Sequence, residues 1–370
     1  MEYKKYKLKE LLTIKNGKDH KQLPEGDYPV YGSGGYMRSV NSFLYDRTSI
    51  LLPRKGTLSN IQYVSGNPFW TVDTIYYTVL NEILYDPYYL FLYLNALDLS
   101  GYDSGASIPS MTSKTYYSLN IELPQKKIQV KVANIIRTYD NLIENNNKRI
   151  KLLELMAESL YKEWFVRFRF PGYEDMEVEE KKPRGWQVGT EEKNHLAPST
   201  FKYDELGNIG SFVRGKNITA AKMLKGDIPV ISAGLQPSGF HNAANVYGAS
   251  LTISASGANA GYLQYHVNDI WAADCSYYQD DTTIWFVYNT LKYLRPVISN
   301  LQCGAAQPHV YPKNINKLCV LIPTEELINK YNDFVKPYYD EIKILNQHNQ
   351  LLTKQRDMLL PRLMSGKFEV

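Results

Sequence analysis

The chain has 370 residues, 44% of them hydrophobic, and a formal net charge of +4. That length exceeds one ordinary core and suits two domains of ~120–130 residues plus connectors. Its polar amino terminus (Met1 to Lys7) and the lack of an apolar run of about 18 residues argue against a secretion signal or membrane span, and point to the cytoplasm.

In chain order, residues 1–123 read as short strands and turns. β-Branched or aromatic runs at 49–53, 61–64 and 73–80 are bounded by Gly, Pro and Asn. Residues 87–95 read as a helix with Pro87 in its first turn. From Gln129 a 3-4 apolar seam follows: Val132, Ile136, Tyr139, Ile143, Asn146, Ile150, Leu153, Ala157, Leu160, Trp164. Residues 170–200 are charged and broken by Pro and Gly, with acids at Glu174, Asp175, Glu177, Glu179 and Glu180, and read as an exposed connector, flexible or lightly tethered.

The plan then repeats about 200 residues on. Asp27-Tyr-Pro-Val-Tyr-Gly-Ser-Gly34 returns as Asp227-Ile-Pro-Val-Ile-Ser-Ala-Gly234, residues 49–56 return as 250–257, and Trp70 and Asp73 return as Trp271 and Asp274. The second copy spans 201–322, with a matching helix expected near 289–300. Its terminal seam is Tyr331, Val335, Tyr338, Ile342, Leu345, Asn349, Leu352, Arg356, Leu359, Leu363. The simplest partner for each seam is the other, as a coiled coil in which Asn146, Asn349 and Arg356 fix register. About 40 helical residues reach ~60 Å, long for internal packing and suited to a spacer or docking role. Pro337 is expected to interrupt or kink the second helix, with no counterpart in the first.

Catalytic patterns are sparse. Asn67-Pro-Phe-Trp70 resembles the amine-holding turn of amino-group methyltransferases, but its second Pro is missing and no Gly-rich cradle for S-adenosylmethionine precedes it. The histidines lack metal spacing, and neither a nucleophile elbow nor a phosphate loop occurs. Cys275, Cys303 and Cys319 form no Cys-x-x-Cys pair and read as small buried residues in a reducing compartment. No metal and no catalytic residue is expected.

Binding features are easier to find. Thirty-one tyrosines suit interfaces and stacking on bases. Gly-rich loops at matched places carry the candidate DNA contacts: Lys18, Tyr31, Ser33, Arg54, Lys55, Thr57 and Ser107 in the first copy. In the second they are Arg214, Lys216, Ser232, Gln236, Ser256, Asn259, Gln307 and His309. Glycine lets the backbone approach closely, Lys and Arg meet phosphates, and Arg or Asn can bond base edges.

The chain resembles the specificity subunit of type I restriction–modification systems. The resemblance rests on residues 28–35, Pro53-Arg-Lys-Gly56, Phe69-Trp-Thr-Val-Asp-Thr74, Trp164-Phe-Val166, Phe170-Pro-Gly172, Pro183-Arg-Gly-Trp186 and Leu206-Gly-Asn-Ile209, in order and with the duplication. It implies an α+β chain with two mostly β target recognition domains (1–123 and 201–322). Two long antiparallel coiled-coil helices (124–169 and 323–370) would separate them, with 170–200 between. Each domain would read half of a split double-stranded DNA site. Two modification subunits that methylate adenine would dock on the chain, and restriction subunits would complete the nuclease. S-Adenosylmethionine, ATP and Mg would sit on those partners, with no cofactor on this chain.

Helix pairing or docking is expected of Ile136, Ile143, Ile150, Leu153, Leu160, Val335, Ile342, Leu345, Leu352 and Leu359. Two departures stand out. Trp186 and Leu206 are separated by an extra polar stretch, 189–202, with no assigned role. The second copy lacks the Arg54-Lys55 pair, so its contacts must come from elsewhere, such as Lys216, Lys222 or Gln236. Alternatives are the specificity subunit of a system whose cutting and methylation are fused, a DNA-independent coiled-coil adaptor, and a free-standing methyltransferase.

Overall fold

The computed structural model describes residues 3–102, 109–181, 195–299, 301–302 and 308–366. The first copy runs β1 (Tyr3–Lys7), α1 (Leu8–Leu11), β2 (Leu12–Asn16), β3 (Tyr28–Gly32), β4 (Gly35–Val40), β5 (Ser49–Pro53), β6 (Gln62–Val64), β7 (Trp70–Thr71) and β8 (Ile75–Leu80). It continues with α2 (Pro87–Asn95), α3 (Ser113–Ser118), β9 (Asn120–Pro124) and the long α4 (Lys126–Tyr161). Three sheets result, in the orders β2-β8-β5-β6, β4-β3-β7 and β1-β9. β5 is buried along its whole length, as a central strand covered on both faces must be.

After β10 (Val178–Lys181) and β11 (His195–Pro198), the second copy repeats these elements. They are β12 (Lys202–Glu205), β13 (Val213–Arg214), β14 (Ile228–Ile231), β15 (Gly239–His241), β16 (Ser250–Ser254), β17 (Leu263–His266), β18 (Trp271–Ala272) and β19 (Cys275–Tyr278). Then come α5 (Ile284–Tyr293), α6 (Arg295–Ser299), α7 (Pro312–Asn316), β20 (Cys319–Ile322) and α8 (Glu325–Met364). The orders β13-β19-β16-β17, β15-β14-β18 and β12-β20 match the first copy strand for strand. Even the parallel pairing recurs: Val30 faces Trp70, and Val230 faces Trp271.

The chain divides into two compact units, Met1–Glu144 with Gln350–Val370, and Asn145–Asn349. Both long helices contribute to both units. In the first unit Val132, Ala133 and Ile136 of α4 share a core with Leu363 of α8 and with Tyr85, Tyr89 and Leu90. Above it Asp140 accepts from Tyr88 and, at 2.6 Å, from Arg356 Nη1. In the second unit Asn146 Nδ2 donates to Asn349 Oδ1 at 2.9 Å, Arg149 pairs with Glu341, and Tyr331 OH donates to Ala157 O at 3.0 Å. As residue numbers rise along α4 those of its α8 partners fall, so the helices run antiparallel. Trp285 of α5 stacks on Tyr339 of α8 at 3.5 Å and 2°, at the centre of the second core.

Several expectations need correction. The helix expected near 289–300 begins earlier, as α5 from Ile284, with α6 following. Its start is capped from far away: buried Asn332 Oδ1 accepts the N–H groups of Trp285 and Phe286 at 3.0 and 3.2 Å. Pro337 does not interrupt α8, which is continuous from Glu325 to Met364. Pro337 lies on the exposed side, where the carbonyl it leaves unpaired can turn to water, while Val335, Tyr339 and Ile342 are buried.

Where it is described, the connector is tethered. β10 and β11 pair antiparallel, and Phe170 stacks on Phe201 at 5.6 Å. Part of the unassigned 189–202 stretch thus supplies a partner strand for the acidic one. α4 itself closes with a π-helical turn, Lys162–Val166, that buries Trp164 and Phe165.

Asp73 is also not the counterpart of Asp274. Arg54 N–H donates to Thr74 O at 2.9 Å, whereas Ala255 N–H donates to Asp274 O at 3.3 Å. The turn after β7 has one residue more than the turn after β18, so Thr74 occupies the place of Asp274.

Candidate nucleic-acid interface

Each copy forms a cleft from equivalent loops. In the first, of about 800 Å³, the loop after β2 (Asp19, His20, Lys21), the β3–β4 hairpin (Gly32 to Met37) and the turn after β7 (Val72 to Thr74) make the walls. In the second, of about 510 Å³, the walls are Asn217 to Thr219 with Lys222, Ser232, Ser256, Ala273-Asp274 and His309.

The same backbone devices hold both clefts open. Lys18 N–H donates to Thr71 O at 2.8 Å and Lys18 O accepts Trp70 Nε1–H at 2.9 Å. In the second copy Lys216 N–H donates to Ala272 O at 2.9 Å and Lys216 O accepts Trp271 Nε1–H at 2.8 Å. Gly17 and Gly215 precede these lysines, and a Cβ there would lie 2.0 Å from Val72 O or 2.5 Å from Ala273 O. At the opposite edge Gly56 and Gly257 take φ of +89° and +73°, and their N–H groups donate to Pro109 O and Pro308 O at 2.8 and 3.1 Å. These positions require glycine for close approach or for a left-handed backbone.

The structure brings only some of the expected residues together. Ser33 lies in the first cleft, its N–H donating to Thr74 Oγ1 at 3.3 Å and its carbonyl accepting Asn60 Nδ2–H at 2.7 Å. Arg54 reaches the rim, with Nη1 at 3.4 Å from Asp73 O and the guanidinium 5.9 Å from the Tyr76 ring centre. Lys18, Lys55 and Thr57 are exposed outside the lining, Lys55 bridging to Ser110. Tyr31 is half-buried and packs edge-on to Phe69 at 6.3 Å, and burial raises its pKa, so it serves packing first.

In the second cleft Ser232, Ser256 and His309 meet. Ser256 is buried and donates to the carboxylate of Asp274, which also pairs with Arg214. His309 stacks parallel to Tyr311 at 6.0 Å. Lys216 and Gln236 are exposed, and Asn259 ends the turn Gly257–Asn259; none of the three lines the cleft. Ser107 and Gln307 fall outside the described residues, as does Cys303. Asp19, His20, Asn217 and Thr219 were not anticipated; they follow the two Gly-Lys steps directly, and that adjacency was the available signal.

On the helices, Ile136, Val335, Ile342 and Leu345 are buried, and Ile143, Ile150, Leu153, Leu160, Leu352 and Leu359 are half-buried. Apolar side chains left exposed are Leu142, Leu152, Leu155 and Met156 on α4, and Phe334, Ile344, Leu351 and Met358 on α8. Among the described residues no group of His, Cys, Asp and Glu could hold a metal, and no helix is long and apolar enough to cross a membrane.

Comparison with known proteins gives these clefts a context. The family model described as "Type I restriction modification DNA specificity domain" matches residues 1–155 and again 198–354. The MjaIX type I restriction enzyme specificity subunit of Methanocaldococcus jannaschii is 27% identical over 290 residues, covering 74% of this chain. The match spans 65% of that relative's own length. The HindI specificity subunit of Haemophilus influenzae is 22% identical, over 76% of this chain and 77% of its own. Among solved structures, the S subunit of a type I restriction–modification system from M. genitalium shares the fold, with a TM-score of 0.60 at 18% identity, covering 98% of this chain and 96% of its own. With both of its copies matched, the chain belongs to the family of type I restriction–modification DNA specificity domains.

Proposed function

We propose that this chain is the DNA-specificity subunit of a type I restriction–modification complex. Residues 1–123 and 201–322 serve as target recognition domains, 124–169 and 323–370 as spacer helices, and 170–200 as the connector. Each domain reads one half of a bipartite, asymmetric double-stranded site. The observation that carries this reading is the pair of clefts: equivalent loops and glycines in both copies, lined by different side chains. A shared frame with unshared side chains is what two readers of unlike sequences require.

In this reading the chain recognises and docks but performs no catalysis. S-Adenosylmethionine, ATP and Mg belong to partner subunits. Two modification subunits, and through them restriction subunits, assemble on it. The expected seam residues are buried or half-buried, so the exposed Leu152, Leu155 and Met156 of α4, with Ile344 of α8, offer apolar surface for docking.

The test is duplex DNA binding by the chain assembled with its modification subunits, measured across salt. Phosphate contacts release counterions, so log affinity should fall steeply and linearly with log salt. A complex that binds no duplex DNA, or binds with no salt dependence, would leave only the adaptor reading.

A further inference from the structure

An arginine stands beside each cleft, against a lining aspartate, and the two come from different places in the fold. In the first copy Arg54 follows β5; the second copy has Ala255 there, since both residues donate N–H to the same point of the facing strand. In the second copy Arg214 ends β13, opposite Ser276; the first copy has Asn16 there, opposite Tyr76. Each guanidinium is nonetheless braced. Arg54 lies between the Asp73 carbonyl and the Tyr76 ring. Arg214 pairs with Asp274, whose other oxygen accepts from buried Ser256.

Resting on the DNA-specificity reading above, we infer that Arg54 and Arg214 each read a guanine of their half-site, and that Asp274 is a positioning residue for Arg214. A phosphate contact needs positive charge and tolerates a loosely held side chain. Asp274 does the opposite on both counts: it offsets the charge of Arg214 and fixes its plane. What survives is direction, because a guanidinium has five N–H donors in a rigid fork and one carboxylate occupies only part of it. A fixed fork matches the O6 and N7 acceptors of guanine in the major groove. The side chain of Arg214 is 43% exposed, so the remaining donors are within reach of a partner. Among the described residues the exposed lysines Lys18, Lys216 and Lys222 have no carboxylate partner, and they suit phosphates. Since the arginines sit at non-equivalent positions, the two guanines should differ in register within their half-sites.

The experiment is modified-base mapping of DNA from cells carrying the full chain with its partner subunits. The wild-type complex should mark one bipartite motif with a G·C pair in each half. Arg54→Gln should relax one guanine position in one half and Arg214→Gln one in the other, with discrimination falling roughly 10- to 100-fold at that position. Asp274→Asn should relax the same position as Arg214→Gln and leave every other letter unchanged. Lys216→Gln should lower modification evenly without altering the motif.

A half-site without a G·C pair, or arginine variants that weaken modification while keeping all letters, would overturn the inference and leave the parent reading intact. The absence of any bipartite motif in wild type would overturn the parent reading instead. Should a variant fail to assemble, wild-type complex can be tested on duplexes with 7-deazaguanine at the implicated position. About 10-fold weaker binding is expected, and equal binding overturns the inference.

Discussion

Asn146 and Asn349 face each other where α4 and α8 pair in the second unit, Nδ2 of the first donating to Oδ1 of the second at 2.9 Å, and Asn349 donating onward to Asn147 Oδ1 at 2.9 Å. Asn146 is buried, and its neighbours along the seam, Ile143 and Ile150, are apolar. A polar pair in such a seam costs stability and penalises every register that would separate its members.

Asn146→Leu alone should therefore lower stability by about 1–2 kcal/mol, since it leaves Asn349 short of a partner. Asn146→Leu with Asn349→Leu should recover most of that loss or exceed wild type. Denaturant unfolding of wild type, both single variants and the double variant checks this, and a double variant as unstable as the sum of the singles would refute it.

Shortening both helices by matched heptads (143–149 with 346–352) should change the distance between half-sites rather than their letters. Seven residues of helix are about 10 Å, or roughly three base pairs. Methylation mapping reads the spacer directly. An unchanged spacer would mean that the helices do not measure it.

Trp70→Phe and Trp271→Phe each remove one indole N–H from a lysine carbonyl. Each should cost about 1 kcal/mol of stability and weaken DNA binding by the assembled complex, because the Gly-Lys loop loses its tether. Gly17→Ala and Gly215→Ala should cost more, since their Cβ atoms would collide with backbone. Thermal unfolding ranks the four, and glycine variants as stable as wild type would contradict the close approach.

His266 accepts from or donates to Thr252 Oγ1 through Nε2 at 2.8 Å, and burial holds its pKa down to about 4. The unfolded value is near 6.5, so as pH falls the unfolded chain takes up this proton first. Its contribution is thus full above about pH 6.5, is lost progressively toward pH 4, and amounts to about 3 kcal/mol. His266→Asn should flatten stability across that window relative to wild type. Matching pH profiles for the two proteins would rule the effect out.

Much of this fold could be read from residues alone, and the exceptions share a cause. α2 carries its signals locally: Pro87 at its first turn and Asp86, which accepts Tyr89 N–H at 2.9 Å, as its cap. The seams of α4 and α8 were legible because their period is set within each helix. The start of α5 was not, because its cap is Asn332, distant in the chain, and its run from Ile284 to Leu291 is buried on every side and shows no polar face. The acidic strand Val178–Lys181 shows no apolar alternation because it pairs at its edges rather than burying a face. At the clefts, the matched glycines could be found from spacing, whereas the equivalence of Thr74 with Asp274 depends on a one-residue difference that only the ladders reveal.

The first and last strands of each copy close on one another. Tyr3 is opposite Pro124 in the β1–β9 ladder, and Lys202 is opposite Ile322 in β12–β20. Each β-rich module therefore begins and ends on two adjacent strands, like a plug on a two-pin socket. Modules whose ends meet in this way can be exchanged whole, because the surrounding chain senses only a short antiparallel ladder and not what it encloses. Replacement of one module by a homologous module should thus give a new specificity in one half-site while the rest of the assembly stays as built.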